Sequence, residues 1–370
     1  MQRAEVQELA IQKFLEHKEG ILHISMGVGK TKIGIDILDE NSKTLIVAPY
    51  TSVLETWKEE FKKWNKSDKN ATYTTTASLG KHTNKVFDLI ILDEIHLYSV
   101  NQLSKIPDGP ILGLSGTISE NTKAFIKEQI DLDVIFDYTL EDAIRDGIIA
   151  DYRIKVVEVM LDDKDKYVEG GTKAKPFLTT EKAQYDYLTK QFNSLKFAEW
   201  GAIGPAKKKY VMLKMQIASK RARLIYSCKS KLEAAKKVIN INDDSRLLIF
   251  TTLTESANQL SDYQFHSKSD KDNLELFSSG KIDKLAVVNM ANVGLNIKPL
   301  NKAVVHQFQS SEETAQQRMG RLLRLEYNNP EKRAEIWVIC LVGTVDEEWT
   351  KSALKNIPKS KIEYIHLKNL

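Results

Sequence analysis

Two short runs in this 370-residue chain carry residue types that could do chemistry together. The first, Gly27-Val-Gly-Lys-Thr31, sets glycines, a lysine and a hydroxyl at the spacing of a phosphate-binding loop. Gly27 and Gly29 let backbone N–H groups approach phosphate oxygens, Lys30 can reach the β- and γ-phosphates, and the Thr31 hydroxyl can ligate Mg²⁺. The second run, Asp93-Glu-Ile-His96, closes the apolar stretch Phe87-Asp-Leu-Ile-Ile-Leu92. There Asp93 would position Mg²⁺, usually through water, and Glu94 would polarise an attacking water. The chemistry predicted is hydrolysis of a nucleoside triphosphate. An isolated Asp-Glu pair is more often a solvated acidic turn. Its place two strands after a phosphate loop decides for the site.

Positioning these groups requires strands that end where they begin. The first half alternates short β-branched runs (Ile21–Ile24, Thr44–Ala48, Leu89–Leu92, Ile111–Leu114) with helical stretches such as Lys30–Asp39 and Thr51–Trp64. Near-continuous apolarity over four or five residues predicts strands buried on both faces of a parallel sheet, with the helices as crossovers. The second half repeats the style with Leu247–Phe250, Leu285–Val288, Ala303–Phe308 and Ile336–Val342. The stretch between them has few strand signals, long helical patterns (Thr180–Phe197, Lys207–Tyr226) and many lysines. Expected domains are 1–160, a helical basic insertion or linker at 161–227, and 228–370.

Composition supports real cores, with 42% hydrophobic and 28% charged residues. A net charge of only +4 means that any affinity for nucleic acid must come from local patches. The two cysteines, Cys228 and Cys340, have neither metal-ligand spacing nor a disulfide framework, which suits a reducing compartment. No apolar run approaches the ~20 residues that span a bilayer, and no signal-peptide pattern opens the chain. A cytoplasmic protein of a bacterial or phage-infected cell is expected.

Gly20-Ile-Leu-His-Ile-Ser-Met-Gly-Val-Gly-Lys-Thr31 resembles the phosphate loop of Swi/Snf-type motors, a group that likewise lacks Gly or Ala at the position of Ile24. With Asp93-Glu-Ile-His96, the chain resembles a superfamily 2 helicase or translocase of the DExH kind. The resemblance covers nearly everything but the helical middle segment. Arg3-Ala-Glu-Val-Gln7 is similar to the segment whose glutamine reads adenine, which implicates Gln7 and makes ATP the implied nucleotide. Leu45–Trp57 resembles the first DNA-contacting motif. Leu114-Ser-Gly-Thr117 resembles the motif that couples hydrolysis to domain movement, which implies coupling roles for Ser115 and Thr117, and also for His96. Leu247–Thr252 resembles the strand that opens the motor's second domain. Asn292–Asn296 resembles a Gly-Leu-Asn motif (Gly294, Asn296), although Val288 stands where such motors often carry Ser or Thr. Gln317-Arg-Met-Gly-Arg-Leu-Leu-Arg324 resembles the Q-R-x-G-R-x-x-R motif, and Gly343–Glu347 a segment that follows in such motors. Tyr138–Gly147 is similar instead to restriction-motor and phage branch-migration helicases. The implied fold is two tandem RecA-like parallel-sheet domains with a helical insertion between them.

The arginines make sense on physical grounds too. Ser311 can cap a helix with Glu312 and Glu313 in its first turn, and Gln317, Arg321 and Arg324 then share one face. Two cations on an otherwise apolar helix (Met319, Leu322, Leu323) need an anion, and a γ-phosphate reached when the two lobes close would supply it. Hydroxyl residues at helix starts and loops, namely Thr51, Ser52, Thr75, Thr76, Thr251 and Thr252, are the expected phosphate-backbone contacts. Lys207-Lys-Lys209 is either a solvated helix face or a grip on a second duplex arm.

The resulting expectation is an ATP-dependent helicase that moves along and remodels forked or branched DNA in phage-type replication, recombination or repair. Three alternatives stay open: a duplex translocase without strand separation, the motor subunit of a larger restriction or remodelling complex, and RNA as the track. A nucleotide-gated binding protein with vestigial hydrolysis ranks far lower, because Lys30, Asp93, Glu94, Arg321 and Arg324 are all retained. No membrane association is expected. A monomer is compatible, as are protein partners in a replication or recombination complex.

Overall fold

The structure is a computed structural model that describes residues 1–25, 27–172, 174–266, 272–288, 300–307, 333–355 and 357–370. The described chain forms two units, one built on Met1–Tyr152 and the other on residues 153–288, 301–307 and 335–370.

The first unit carries β1 (Gly20–Ile24), β2 (Thr44–Ala48), β3 (Ala71–Thr75), β4 (Leu89–Asp93), β5 (Ile111–Ser115) and β6 (Val134–Tyr138). They form one parallel sheet in the order β3-β2-β4-β5-β1-β6. β2 and β4 are buried along their whole length, as apolar runs with helices on both faces demand. From β1 the chain passes β5 and β4 to start β2, and β4 and β5 then return into the gap. The carboxyl ends of β1, β5 and β4 therefore stand side by side, at the switch point where α/β sheets bind ligands. Register fixes them closely, with His23 opposite Ser115 and Asp93 opposite Leu114. The edge strand β3 (Ala-Thr-Tyr-Thr-Thr) and β6 extend the sheet beyond the four runs read from the sequence. β3 is half-exposed, so it lacks the continuous apolarity that marked the inner strands.

The second unit carries β7 (Asp151–Val159), β8 (Val168–Thr172), β9 (Lys175–Thr179), β10 (Leu247–Thr251), β11 (Gln264–Phe265), β12 (Lys284–Val288), β13 (Lys302–Val305), β14 (Arg333–Leu341) and β15 (Ile362–His366). Seven of them form a sheet in the order β11-β12-β10-β13-β14-β7-β15, and β8 and β9 pair as a separate antiparallel hairpin. Because β7 belongs to this sheet, the second unit opens at Arg153, ahead of residue 160.

The stretch 161–227 is part of this unit as well. It begins with the β8–β9 hairpin and continues as the helices Glu181–Trp200 and Gly204–Ser227, which run back along one another. Glu199 pairs with Lys214, and the Arg221 guanidinium lies 4.7 Å over the Phe192 ring. At the root, Tyr185, Ile225 and Cys228 enter the core formed by Val157, Val159, Ala235 and Leu341. The Glu181 carboxylate, fully buried, accepts from Asp162 N (2.8 Å), Ser230 N (3.0 Å) and the hydroxyls of Tyr167 and Ser230. At the far end Phe197, Trp200 and Ile203 are exposed.

One buried ion pair joins elements far apart in sequence. Lys231 Nζ lies 2.5 Å from Asp346 Oδ2 and donates to Gln307 Oε1 at 3.0 Å. Asp346 also accepts from Leu341 N at 2.8 Å and from Gln307 Nε2 at 3.2 Å. Removing one partner of such a pair strands the other charge out of water. Lys231→Met is expected to cost about 3–5 kcal/mol in urea unfolding. A cost below about 1 kcal/mol would mean that Asp346 finds other compensation.

Candidate functional site

The loop after β1 is built by glycine where no other residue fits. Ile24, the last residue of β1, is fully buried, so the strand's packing accounts for an isoleucine where the loop pattern asks for Gly or Ala. Gly29 has φ +106°, and a Cβ there would stand 2.6 Å from Gln7 Nε2. That amide donates to Val28 O at 2.7 Å, so Gln7 on the helix Arg3–His17 clasps the loop from outside. Gly27 has φ +89°, with Ile149 Cγ2 3.0 Å from its absent Cβ. The helix Lys30–Ile37 follows directly, and its N-terminal N–H groups and dipole favour an anion. Lys30 and Thr31 are its first two residues.

Lys30 Nζ lies 3.0 Å from Glu94 Oε1. Glu94 sits in the left-handed region (φ +49°, ψ +49°), which turns the chain sharply off β4 and aims its carboxylate back at the loop. Its Oε2 also lies 3.5 Å from His96 Nδ1 and from Gly116 N. Asp93 is buried, and its carboxylate accepts from Trp57 Nε1 at 2.8 Å and from the Glu94 N–H at 3.0 Å. Burial and the adjacent Glu94 charge push the Asp93 carboxyl up to about 6, against Lys30 and the indole donor. Burial would raise Glu94 too, but the Lys30 ammonium overrides it and holds Glu94 below the usual carboxylate value. A buried and a half-buried carboxylate side by side, offset by one lysine, suit a cation. Thr31 and Asp93 are the groups that could hold it.

His96 and the β5 end form a second network. His96 Nδ1 and Ser115 Oγ are 2.8 Å apart, while Ser115 Oγ donates to Thr117 O at 2.5 Å. The serine's one hydrogen is thus engaged, so His96 carries its proton on Nδ1 and donates it. Burial lowers the imidazole to about 4, which keeps it neutral near pH 7. Glu94, His96, Ser115 and Thr117 are therefore linked around one edge of the sheet.

The sequence-expected residues divide by position. Gln7, Gly27, Gly29, Lys30, Thr31, Asp93, Glu94, His96, Ser115 and Thr117 gather at the carboxyl ends of β1, β4 and β5. Thr51 and Ser52 are exposed at the start of the helix Thr51–Lys63, and Thr75 and Thr76 are half-buried at the end of β3. Lys207, Lys208 and Lys209 are exposed on the second helix of the middle segment. Thr251 departs from its expected exposure: it is fully buried at the end of β10, with its hydroxyl on Leu253 O. The neighbouring Thr252 Oγ1 is buried with no hydrogen-bond partner among the described residues. Gly294, Asn296, Gln317, Arg321 and Arg324 lie outside the described residues. Among the described residues no cluster of three or more His, Cys, Asp or Glu could hold a metal, and no helix is long and apolar enough to cross a membrane.

Sequence reading missed Trp57 as a site residue, although it ends the Leu45–Trp57 stretch. The signal was there: Leu54, Trp57 and Phe61 form a helical stripe, and a buried indole N–H needs an acceptor.

A glycine loop ending in Lys-Thr, an acid pair two strands away in the sheet and a linked histidine at the switch point form an arrangement suited to hydrolysing a nucleoside triphosphate. Two family models match the chain, the type III restriction enzyme res subunit over residues 1–86 and the helicase conserved C-terminal domain over residues 230–326. A curated relative, the DNA 3'-5' translocase XPB2 of Sulfurisphaera tokodaii, is 23% identical over 369 residues, covering 91% of this chain and 81% of the relative. Among solved structures, the Hef helicase domain of Pyrococcus furiosus superposes with a TM-score of 0.52 at 15% identity, covering 90% of this chain and 94% of that one. A fragment of a putative HsdR subunit of a type I restriction enzyme from Vibrio vulnificus YJ016 gives 0.61 at 15% identity, covering 98% of this chain and 68% of that one. These two likenesses are likenesses of fold, the tandem RecA-like arrangement. Together the two family models and the curated relative support a superfamily 2 helicase/translocase.

Gly29→Ala is expected to force the loop backbone and displace the Gln7 amide together. Nucleotide affinity should fall at least about tenfold, the scale of one strained backbone position. Gln7→Ala should weaken adenine nucleotides more than guanine nucleotides. Equal binding of a fluorescent ATP analogue by Gly29→Ala and wild type would contradict the clasp.

Proposed function

We propose that this chain is a DExH-type motor that moves along DNA and remodels forked or branched junctions, driven by ATP hydrolysis at the first unit. The observation that carries this reading is the Lys30–Glu94 pair at 3.0 Å, set between the glycine loop and the buried Asp93. A phosphate at the loop would compete with Glu94 for the Lys30 ammonium and weaken that pair. With the ammonium shared with phosphate, the Glu94 carboxylate is available to accept a proton from the attacking water. A divalent cation such as Mg²⁺, held by Thr31 and Asp93, would supply charge stabilisation on the phosphates. Gln7 would read the adenine. Gly294, Asn296 and Gln317 would complete the nucleotide contacts, with Arg321 and Arg324 as the finger pair. Through Gly116 N and His96, Glu94 is tied to Ser115 and Thr117, which supports a coupling role for that edge.

The track would be contacted by Thr51, Ser52, Thr75 and Thr76 in the first unit, all to phosphate rather than base. Lys207, Lys208 and Lys209 would grip a further arm of the substrate. Replication, recombination or repair in a bacterial or phage-infected cytoplasm is the proposed setting. A second reading, motion along duplex without strand separation, is favoured by the curated relative's description as a DNA 3'-5' translocase. The res-subunit match and the HsdR likeness favour a motor subunit within a larger assembly.

Hydrolysis measured alone and with single-stranded, duplex, forked and four-way DNA, and with RNA, tests the proposal, with Lys30→Ala as control. Strong stimulation by branched DNA that disappears in the control is expected. Equal stimulation by plain duplex would favour the translocase, and stimulation by nothing would sink the motor reading. Replacing Lys207–Lys209 by Glu should lower fork affinity and flatten the salt dependence by about 0.9 in log–log slope for each phosphate that is no longer neutralised. Unchanged affinity and slope would remove the grip.

A further inference from the structure

The charge network of the first unit includes one side chain from neither the phosphate loop nor the acidic strand. Trp57, in the middle of the helix Thr51–Lys63, is fully buried and gives its indole N–H to Asp93 Oδ2 at 2.8 Å. Its six-membered ring lies against Gly34 on the phosphate-loop helix, where a Cβ would stand 2.5 Å from Cη2 and 3.3 Å from Cζ3. Glycine is unfavourable inside a helix, and here the space it leaves is filled by the indole. A second tie joins the same two helices, since the Lys32 ammonium lies 4.7 Å over the Trp64 ring. The helix Thr51–Lys63 is thus fixed to the phosphate-loop helix at two points and to the acidic strand at one.

The other end of that helix faces outward, with Thr51 and Ser52 exposed about 9 Å along the axis from Trp57. We propose that Trp57 is a positioning residue through which nucleic acid bound at the start of this helix sets the Asp93 carboxylate, and so controls the rate of hydrolysis. The inference rests on the reading of Thr51 and Ser52 as phosphate contacts. Over so short a distance a helix moves as a rigid body, so a phosphate drawing in Thr51 and Ser52 displaces the indole N–H. Asp93 must follow. Its Oδ2 takes the indole donor and its Oδ1 the Glu94 N–H, so moving the first donor turns the carboxylate about the second. A tryptophan that merely filled the core would predict no link to nucleic acid.

Three variants separate these cases. Trp57→Phe removes the donor and keeps most of the ring. Gly34→Ala keeps the donor and displaces the ring. Phe61→Leu loosens the same buried helix face, 6.5 Å from the Trp57 ring, without touching the donor. Turnover is measured with and without a saturating single-stranded oligonucleotide, oligonucleotide affinity by anisotropy, and folding by thermal melts. In Trp57→Phe and Gly34→Ala the ratio of stimulated to basal turnover should fall about tenfold, the worth of one hydrogen bond to a charged group, at unchanged oligonucleotide affinity. Phe61→Leu should melt earlier yet keep the wild-type ratio. The inference is overturned if folded Trp57→Phe keeps that ratio, or if Phe61→Leu loses it equally. Should Trp57→Phe fail to fold, Gly34→Ala carries the same test. A wild type that no oligonucleotide stimulates would remove the motor reading itself and this inference with it, an outcome visible before any variant is made.

Discussion

Everything at the first unit's site follows from setting a buried and a half-buried carboxylate side by side at the end of one strand. Asp93 and Glu94 repel one another in a medium that screens little, and each alone would take up a proton more readily than in water. The fold answers with groups from four elements. Lys30 comes from the phosphate-loop helix, Trp57 from the next crossover helix, the Gly116 N–H from the turn after β5, and His96 from the turn after β4. None of these partners is near Asp93 in sequence except His96. They meet because β4 and β5 insert between β2 and β1, which brings three strand ends to one edge. The sheet order thus serves the charge arrangement as much as the core.

The second unit meets a similar problem with different chemistry. Lys231 and Asp346 neutralise each other in its core, with Gln307 spanning both and the Leu341 N–H satisfying a remaining lone pair. Glu181, by contrast, is buried on hydrogen bonds alone. It joins the chain before the helical pair to the helix Lys229–Ile241 after it, so both ends of the excursion are tied at one carboxylate. Tyr185, which accepts from Val345 N at 2.7 Å, ties the same root to the Gly343–Glu347 turn.

Legibility followed burial. The inner strands β2, β4 and β10 were readable because full burial on both faces leaves only apolar residues. β3 and β15 are half-exposed, and β8 and β9 form a hairpin of their own, so none carries that signature. β7 alternates in burial and follows directly on the last turn of the first unit, so periodicity alone did not say which sheet it would join. At the candidate site, Lys30, Asp93 and Glu94 could be singled out in the sequence because they stand in short local runs, and the structure brings them together. Trp57, Glu181 and the Lys231–Asp346 pair were not, because each acquires its meaning from a partner distant in sequence. Thr251 shows the converse, a hydroxyl of the right type at a strand end whose direction only the backbone decides.

The same distinction explains why Gly34 is informative. A glycine in the loop, such as Gly29, has a backbone reason in its positive φ. Gly34 has ordinary helical geometry, so its reason must be a neighbour, and the neighbour is the Trp57 ring. Any larger residue at 34 would push the indole off Asp93 while leaving every motif residue in place. The identity of the buried acid Asp93 is therefore written in one run of the sequence, but its orientation depends on a glycine and a tryptophan in two others. That dependence is what allows the helix bearing Thr51 and Ser52 to reach the acidic strand without a covalent or charged intermediary.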